Sequence, residues 1–224
     1  MNLLTVLKYF DLANNYRKYQ IHLIKPFMKG EILEVGPGNG YVINNFINNK
    51  KITLIEPEKY FFDILKKKFV KKNVKILRCK INSLNKKFDT ILYSDVIEHI
   101  SQDISELNKA KKLLKKNGHL IIIVPAFQKL YSSFDGKVNH VKRYEKKDFL
   151  EYSKKSKINI VLLKYFDCIG YIILLISRFF NFSNNSTVIG IKIWNSLIPI
   201  SKFLDKIFYK SNIIGKSLIC VYKK

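Results

Sequence analysis

Short apolar runs recur along the chain at intervals that leave room for a helix between them. The first, Glu31-Ile-Leu-Glu-Val35, stops at a cluster of glycines. Ile52–Glu56, Val74–Cys79, Phe88–Ser94 and His119–Val124 follow. The last of these is almost wholly apolar, as a parallel strand covered on both faces must be. Runs this short, bounded by turn residues, predict strands rather than buried helices. Asn15–Met28 predicts a helix before the first strand, and Pro57 opens another after the second. Leu107–Lys116 predicts a Lys-rich amphipathic helix closed by Asn117-Gly118. The order β-α-β-α-β-β-α-β has helical length wherever a parallel crossover needs it, which predicts a doubly wound α/β sheet.

The C-terminal third has a different texture. Ile158–Tyr165 and Ser217–Tyr222 predict two more strands, which makes seven. Between them lie about fifty residues, well beyond an ordinary connection. Cys168–Ser177 is uncharged and strongly apolar, and Phe179, Phe180 and Phe182 follow it. Ten residues are too few to span a bilayer, which takes about twenty. Thr187–Lys210 predicts a second helical stretch, interrupted near Pro199. The chain therefore divides into N-terminal helices (1–29), a core (30–164), an apolar helical insertion (165–215) and a last strand (216–224) of one domain. The apolar content of the insertion suits a lipid-like ligand or shallow membrane contact through 168–182.

Composition changes this picture little. The formal charge of +24 invites a nucleic-acid reading. Of the 41 basic residues, however, only four are arginines, Arg17, Arg78, Arg143 and Arg178, and base recognition favours Arg for its bidentate fork. Runs such as Lys66–Lys68 and Lys71-Lys72 fall on predicted helices or their ends, where they read as solvated faces. Nucleic acid is therefore not the expected partner. Cys79, Cys168 and Cys220 are scattered and read as reduced thiols, which fits a cytoplasmic protein. Met1–Phe10 carries a single positive charge, Lys8, and no small-residue cleavage site follows, so no signal peptide is expected.

The candidate chemistry sits at the strand ends. Gly36, Gly38 and Gly40 let a ligand approach the backbone closely. Glu34, two positions earlier, places a carboxylate beside the turn amides, which suits a ligand with a positive group at one end. A G-x-G-x-x-G/A dinucleotide fingerprint is the rival, but its sixth position here is Tyr41, and Pro37 removes a turn amide. Glu56, ending the second strand, can accept both hydroxyls of a ribose, and serves either reading.

This segment resembles motif I of the class I S-adenosylmethionine-dependent methyltransferases. The resemblance implies that Glu34 holds the methionine ammonium and that the glycines make room for the cofactor. Phe88-Asp-Thr-Ile-Leu-Tyr-Ser-Asp-Val-Ile-Glu-His-Ile100 is similar to the family's fourth-strand segment. It implies Ser94 and Asp95 beside the methionine part, Glu98 and His99 opening the next helix, and His99 as an acceptor contact. Where many members have an adenine-binding Asp after the third strand, this chain has Lys80, which cannot accept a hydrogen bond. Adenine then falls to the backbone of Ile81, to Asn82 or to apolar stacking. No metal is expected, because Glu98 and His99 alone do not complete a ligand set.

After the fifth strand, Tyr131, Asp135, His140, Arg143 and Tyr144 concentrate in one loop. The segment resembles one found in a methyltransferase subgroup of type 11 or type 12 domains. It implies acceptor contacts from Tyr131, Asp135, Arg143 and Tyr144, with His140 as a base for the acceptor proton. The other reading is that Asp135, His140 and Arg143 bond one another and stiffen the loop. Loop and insertion are both expected over the C-terminal edge of the sheet. The resemblance implies methyl transfer to a small molecule, a glycan or a lipid-linked acceptor. An RNA methyltransferase and a non-catalytic cofactor-binding protein are the alternatives.

Overall fold

The computed structural model describes residues 12–47, 51–70, 72–177, 184–208 and 212–224. Met1–Phe10 and Phe179, Phe180 and Phe182, singled out above, lie outside them. Helix α1 is Asn14–Ile24, extended by a 3-10 turn at Lys25–Phe27. Strand β1 (Ile32–Val35), β2 (Ile52–Ile55), α2 (Lys59–Lys68) and β3 (Val74–Leu77) follow. Next come β4 (Phe88–Ser94), α3 (Asp103–Leu113) and β5 (Leu114–Pro125). The remainder is α4 (Ser133–Lys137), α5 (Lys146–Ser156), β6 (Asn159–Phe166), α6 (Cys168–Ser177), α7 (Asn184–Ile207) and β7 (Ser217–Lys223).

The seven strands form one sheet in the order β3-β2-β1-β4-β5-β7-β6. β1 to β5 pair in parallel, and β7 runs antiparallel between β5 and β6. This is the expected doubly wound sheet. β1 and β2 are buried at every position, as strands covered on both faces require. One face packs Leu33, Phe88, Tyr93, Leu120 and Tyr222 against Leu107, Phe149 and Tyr152. The other packs Ile32, Leu54, Leu92, Ile121 and Phe166 against α1 and Trp194. The sequence order reverses at β1, between β2 and β4, which opens a crevice at the carboxyl ends of those strands.

Four expectations need correction. No α-helix follows the glycine turn among the described residues; Ile43–Asn45 is a single 3-10 turn. Asn44 and Asn45 there are poor helix formers that compete for backbone groups. The pattern also places α3 too late. It begins at Asp103 and ends at Leu113, because the buried Leu114 already pairs with Phe88. Lys115 then bridges Asp89 (2.9 Å) and Glu31 (3.3 Å). Glu98 and His99 lie in a 3-10 turn ahead of α3 rather than on it. Finally, α7 runs through Pro199. Buried Trp194, Ile198, Ser201 and Asp205 hold the helix to the body on both sides of the proline.

The insertion is tied down by charge as well as by apolar packing. Asp167, fully buried and left-handed at φ 66°, accepts hydrogen bonds from Gly170 N (2.9 Å), Trp194 Nε1 (2.8 Å) and Ser201 Oγ (2.9 Å). Asp205 on α7 accepts from Tyr19 Oη (3.0 Å) and from the amides of Asp167 and Cys168. Trp194 also packs on Tyr16, with ring centroids 4.9 Å apart. Most of α7 therefore covers a sheet face beside α1, and does not overhang the strand ends as expected.

Trp194 is the single tryptophan, so its fluorescence reads this region alone. Asp167→Ala strands three buried donors at about 1–3 kcal/mol each before relaxation and places Ala in a left-handed backbone. We expect an earlier red shift of Trp194 emission in urea than in the parent. Asp167→Asn, which tolerates that backbone, should shift less. A parent-like midpoint for Asp167→Ala would contradict the anchoring role.

Candidate active site

A cavity of about 850 Å³ opens at the carboxyl ends of β1, β2 and β4. Its floor is Glu34, Gly36 and Gly38 from β1 and its turn, Glu56 from the end of β2, and Ser94 and Asp95 from the end of β4. Lys80, Ile81 and Asn82 close one side, with Tyr60 and Phe61 of α2. Tyr16, Arg17 and Gln20 of α1 form the cover. The far end is Glu98, His99, His140, Arg143, Lys216 and Ser217.

Glu34 points from the end of a strand buried on both faces and is only 2% exposed. Its Oε2 has no hydrogen-bond partner. Burial pushes its carboxyl up to about 8, against a smaller downward pull from Arg17 and Lys68. A carboxyl held this way leaves one oxygen without a partner, and a ligand's ammonium would supply one. Glu56, 4% exposed, accepts the amide of Glu58 (3.0 Å). Burial also raises its carboxyl, while the Glu58 and Gly38 amides lower it. Gly38, at φ 54°, has open space where a Cβ would stand, so the turn presents bare backbone to the cavity. The two carboxyl groups, as acceptors, thus fit a ligand with an ammonium at one end and a vicinal diol at the other.

Gly40 does something else. It does not line the cavity, and a Cβ there would lie 2.7 Å from Phe69 Cε2 and 2.9 Å from Leu65 Cδ2. It lets α2 and the residues just after it pack on the turn. Asp95 is held at φ 56°, uncommon for a residue with a side chain, and its carboxylate accepts from Gln20 Nε2 (2.9 Å). This bond ties α1 to the end of β4.

The loop after β5 divides into two groups. His140 and Arg143 reach the cavity with Phe134, Val138 and Asn139. Tyr131, Asp135 and Tyr144 do not line it, contrary to expectation. Tyr131 Oη donates to the His140 carbonyl (2.7 Å). Tyr144 is 2% exposed and donates to Asp103 (2.9 Å). Asp135 is fully buried and accepts from His140 Nδ1 (2.7 Å), Arg143 Nε (2.9 Å) and Arg143 Nη2 (3.1 Å). Burial pushes the Asp135 carboxyl up, but the bonds from His140 and Arg143 outweigh it and hold it at about 2. The knot that the sequence left open as an alternative is therefore present, and it aims two of its members at the cavity. His99, across from it, donates from Nδ1 to the Asn139 carbonyl (3.2 Å). Of the insertion proper, Leu174 reaches the cavity.

Sequence reading missed Gln20 and Lys216, and also the burial of Glu98. Lys216 lies over the rings of Trp194 (3.8 Å) and Tyr16 (4.4 Å), and burial pulls its ammonium down to about 8. Nothing in its local sequence sets it apart from the chain's other lysines. Only the antiparallel return of β7 brings it to the site.

Because Glu34 keeps its proton to about pH 8 when folded and loses it near 4.5 when unfolded, the unfolded state binds fewer protons between those values. Stability should fall as pH rises through that window and level off above it. Glu34→Gln removes this term. We expect the variant to melt above the parent at pH 8.5, with the gap closing toward pH 5. A constant gap would show that Glu34 is not buried as described.

A family model described as a methyltransferase domain matches residues 13–156. No curated protein matches the sequence. Among solved structures, a S-adenosylmethionine-dependent methyltransferase from Thermotoga maritima is 16% identical with a TM-score of 0.65, over 98% of this chain and 94% of that one. A phosphoethanolamine N-methyltransferase of Haemonchus contortus, in complex with S-adenosylmethionine, is 16% identical with a TM-score of 0.65, over 92% of this chain and 52% of that one. A structure of the Haloferax volcanii Trm112 methyltransferase activator with a methyltransferase aligns at 11% identity and a TM-score of 0.60, over 87% of this chain and 82% of that one. These likenesses show the fold. The family match spans well over half the chain, and it carries both the glycine turn with Glu34 and the paired histidines: the chain belongs to the methyltransferase-domain family and is a class I, S-adenosylmethionine-dependent methyltransferase.

Proposed function

We propose that this methyltransferase acts on a lipid-linked acceptor presented at a membrane surface. The observation that carries this reading is an apolar stripe on the insertion. Ile189, Ile193, Ile200, Phe203 and Ile207 of α7 are each more than half exposed. Their spacing of 4, 7, 3 and 4 puts all five on one helix face. Ile172 and Ile176 of α6 are exposed too, and Lys192, Lys202 and Lys206 are exposed on α7. An apolar face flanked by lysines is the composition of an interfacial helix. Among the described residues no helix is long and apolar enough to cross a membrane.

In the site, Glu34 would hold the cofactor's ammonium and Glu56 its ribose hydroxyls. Ile81 and Asn82 lie where the adenine would rest, beside Tyr60 and Phe61. Ser94 and the strained Asp95 would border the methionine part, with Gln20 fixing the Asp95 carboxylate. When bound, S-adenosylmethionine supplies a methyl already activated by its sulfonium. What the chain adds is the positioning of donor and acceptor in near-attack geometry. His99, His140 and Arg143 sit at the open end, where an acceptor would enter. His140, its Nδ1 engaged with Asp135, presents Nε2 as the base for an acceptor proton.

Co-sedimentation with vesicles tests the acceptor class. We expect binding to vesicles with anionic lipid, and loss of most of it on Ile193→Ser/Phe203→Ser with little change in melting temperature. An unaltered partition for that variant, or a folded parent that stays in the supernatant, would contradict the lipid-linked reading and favour a soluble small-molecule or glycan acceptor. Tight RNA binding that survives about 0.2 M salt would instead favour an RNA acceptor.

A further inference from the structure

Glu98 is the second buried acid at the cavity with an oxygen lacking any partner. It is 1% exposed, and its Oε2 makes no hydrogen bond. Two imidazoles stand beside it. His140 Nε2 is 4.0 Å from Glu98 Oε1, and the rings of His99 and His140 meet edge to face with centroids 4.8 Å apart. One ligand atom from each of the three residues lies within 4.8 Å of the others.

The surroundings orient both imidazoles in one way. His140 Nδ1 is bonded to Asp135 Oδ1 (2.7 Å), and His99 Nδ1 to the Asn139 carbonyl (3.2 Å). Carboxylate and carbonyl oxygens accept only, so Nδ1 is the donor in each of these two bonds. An imidazole whose Nδ1–H is anchored on a carboxylate or carbonyl is the arrangement found behind metal-bound histidines. Val141 N donates to the Glu98 carbonyl (2.7 Å), which locks the two loops that supply the ligands. Arg143, the nearest strong cation, is neutralised by its own pairing with Asp135.

We propose that Glu98, His99 and His140 form a binding site for a divalent transition-metal ion, of the zinc, manganese or cobalt class. Two imidazoles and one carboxylate on one side of an ion leave its other positions open. Those positions face the acceptor end of the cavity. An acceptor hydroxyl could bind there, and the ion would favour its deprotonated form, which replaces the action of His140 as the base because the ion occupies its Nε2. That last role rests on the methyl-transfer reading, whereas the ion site itself does not. The sequence could not assemble it: Glu98 and His99 are adjacent, but the third ligand comes from a loop beyond β5.

The test uses the full chain, stripped with a chelator and free of cofactor. Titration with Co²⁺ should reach a single equivalent with visible d–d absorption, displaced by Zn²⁺. Histidine-selective NMR with Zn²⁺ should move the Nε2 signals of two of the four histidines. His99→Ala, at an exposed position, should weaken Co²⁺ binding by about tenfold or more while S-adenosylhomocysteine affinity changes little. Absence of stoichiometric uptake by a chain that still binds S-adenosylhomocysteine would overturn the proposal. So would Zn²⁺ shifts confined to His22 and His119, or equal Co²⁺ affinity in His99→Ala. Metal uptake without cofactor binding would leave the ion site standing and remove its acceptor role.

Discussion

The site depends on an acid almost wholly buried at the floor of the cavity. Glu34 is the last residue but one of β1, a strand walled in by β2 and β4 and covered on both faces. Burying a charge without a partner is costly, so the folded chain keeps a proton on Glu34 into the neutral range. The rest of the fold has to hold that arrangement in place. It does so through two apolar layers, one on each face of the sheet. Two of the left-handed non-glycine residues, Asp95 after β4 and Asp167 after β6, are over-determined by the structure around them. Each is held by its own side-chain bonds, Asp95 by Gln20 and Asp167 by Trp194, Ser201 and Gly170.

A second buried acid, behind the other end of the cavity, behaves in the opposite way. Asp135 is as buried as Glu34, yet its carboxyl is held low rather than high, because His140 and Arg143 are bonded to it. The contrast separates a structural carboxylate from one that awaits a ligand. Glu34 and Glu98 belong to the latter kind, since both leave an oxygen unpartnered. The cavity thus carries one unmet acid near the glycine turn and another beside the histidine pair.

The sheet was legible because its strands announce themselves: short Ile- and Leu-rich runs with turns at their ends. That Glu34, Glu56, Gly36, Gly38, Ile81, Ser94 and Asp95 line one cavity was legible because each stands at a strand end or just beyond it, and such residues share one edge of a parallel sheet. Gly40 was misread as a cofactor contact, since its reason for lacking a side chain is Phe69, nearly thirty residues away. Tyr131, Asp135 and Tyr144 looked like acceptor contacts because polar loop residues next to a site look alike in sequence. Their partners, the His140 carbonyl, Arg143 and Asp103, are visible only in three dimensions. Gln20 and Lys216 reach the cavity from α1 and the start of β7, far from any motif. The helix expected after the glycine turn failed on local chemistry, in a stretch whose asparagines favour turns over helix.

The most direct measurement is proton release on cofactor binding. If Glu34 is protonated in the free chain at pH 7 and must ionise to meet the ammonium, binding releases close to one proton. Calorimetry of S-adenosylhomocysteine binding in buffers of different ionisation enthalpy measures this. The account predicts a release approaching one proton at pH 7, little above pH 9, and none at either pH for Glu34→Gln. Binding of normal strength whose heat is the same in every buffer at pH 7 would contradict it.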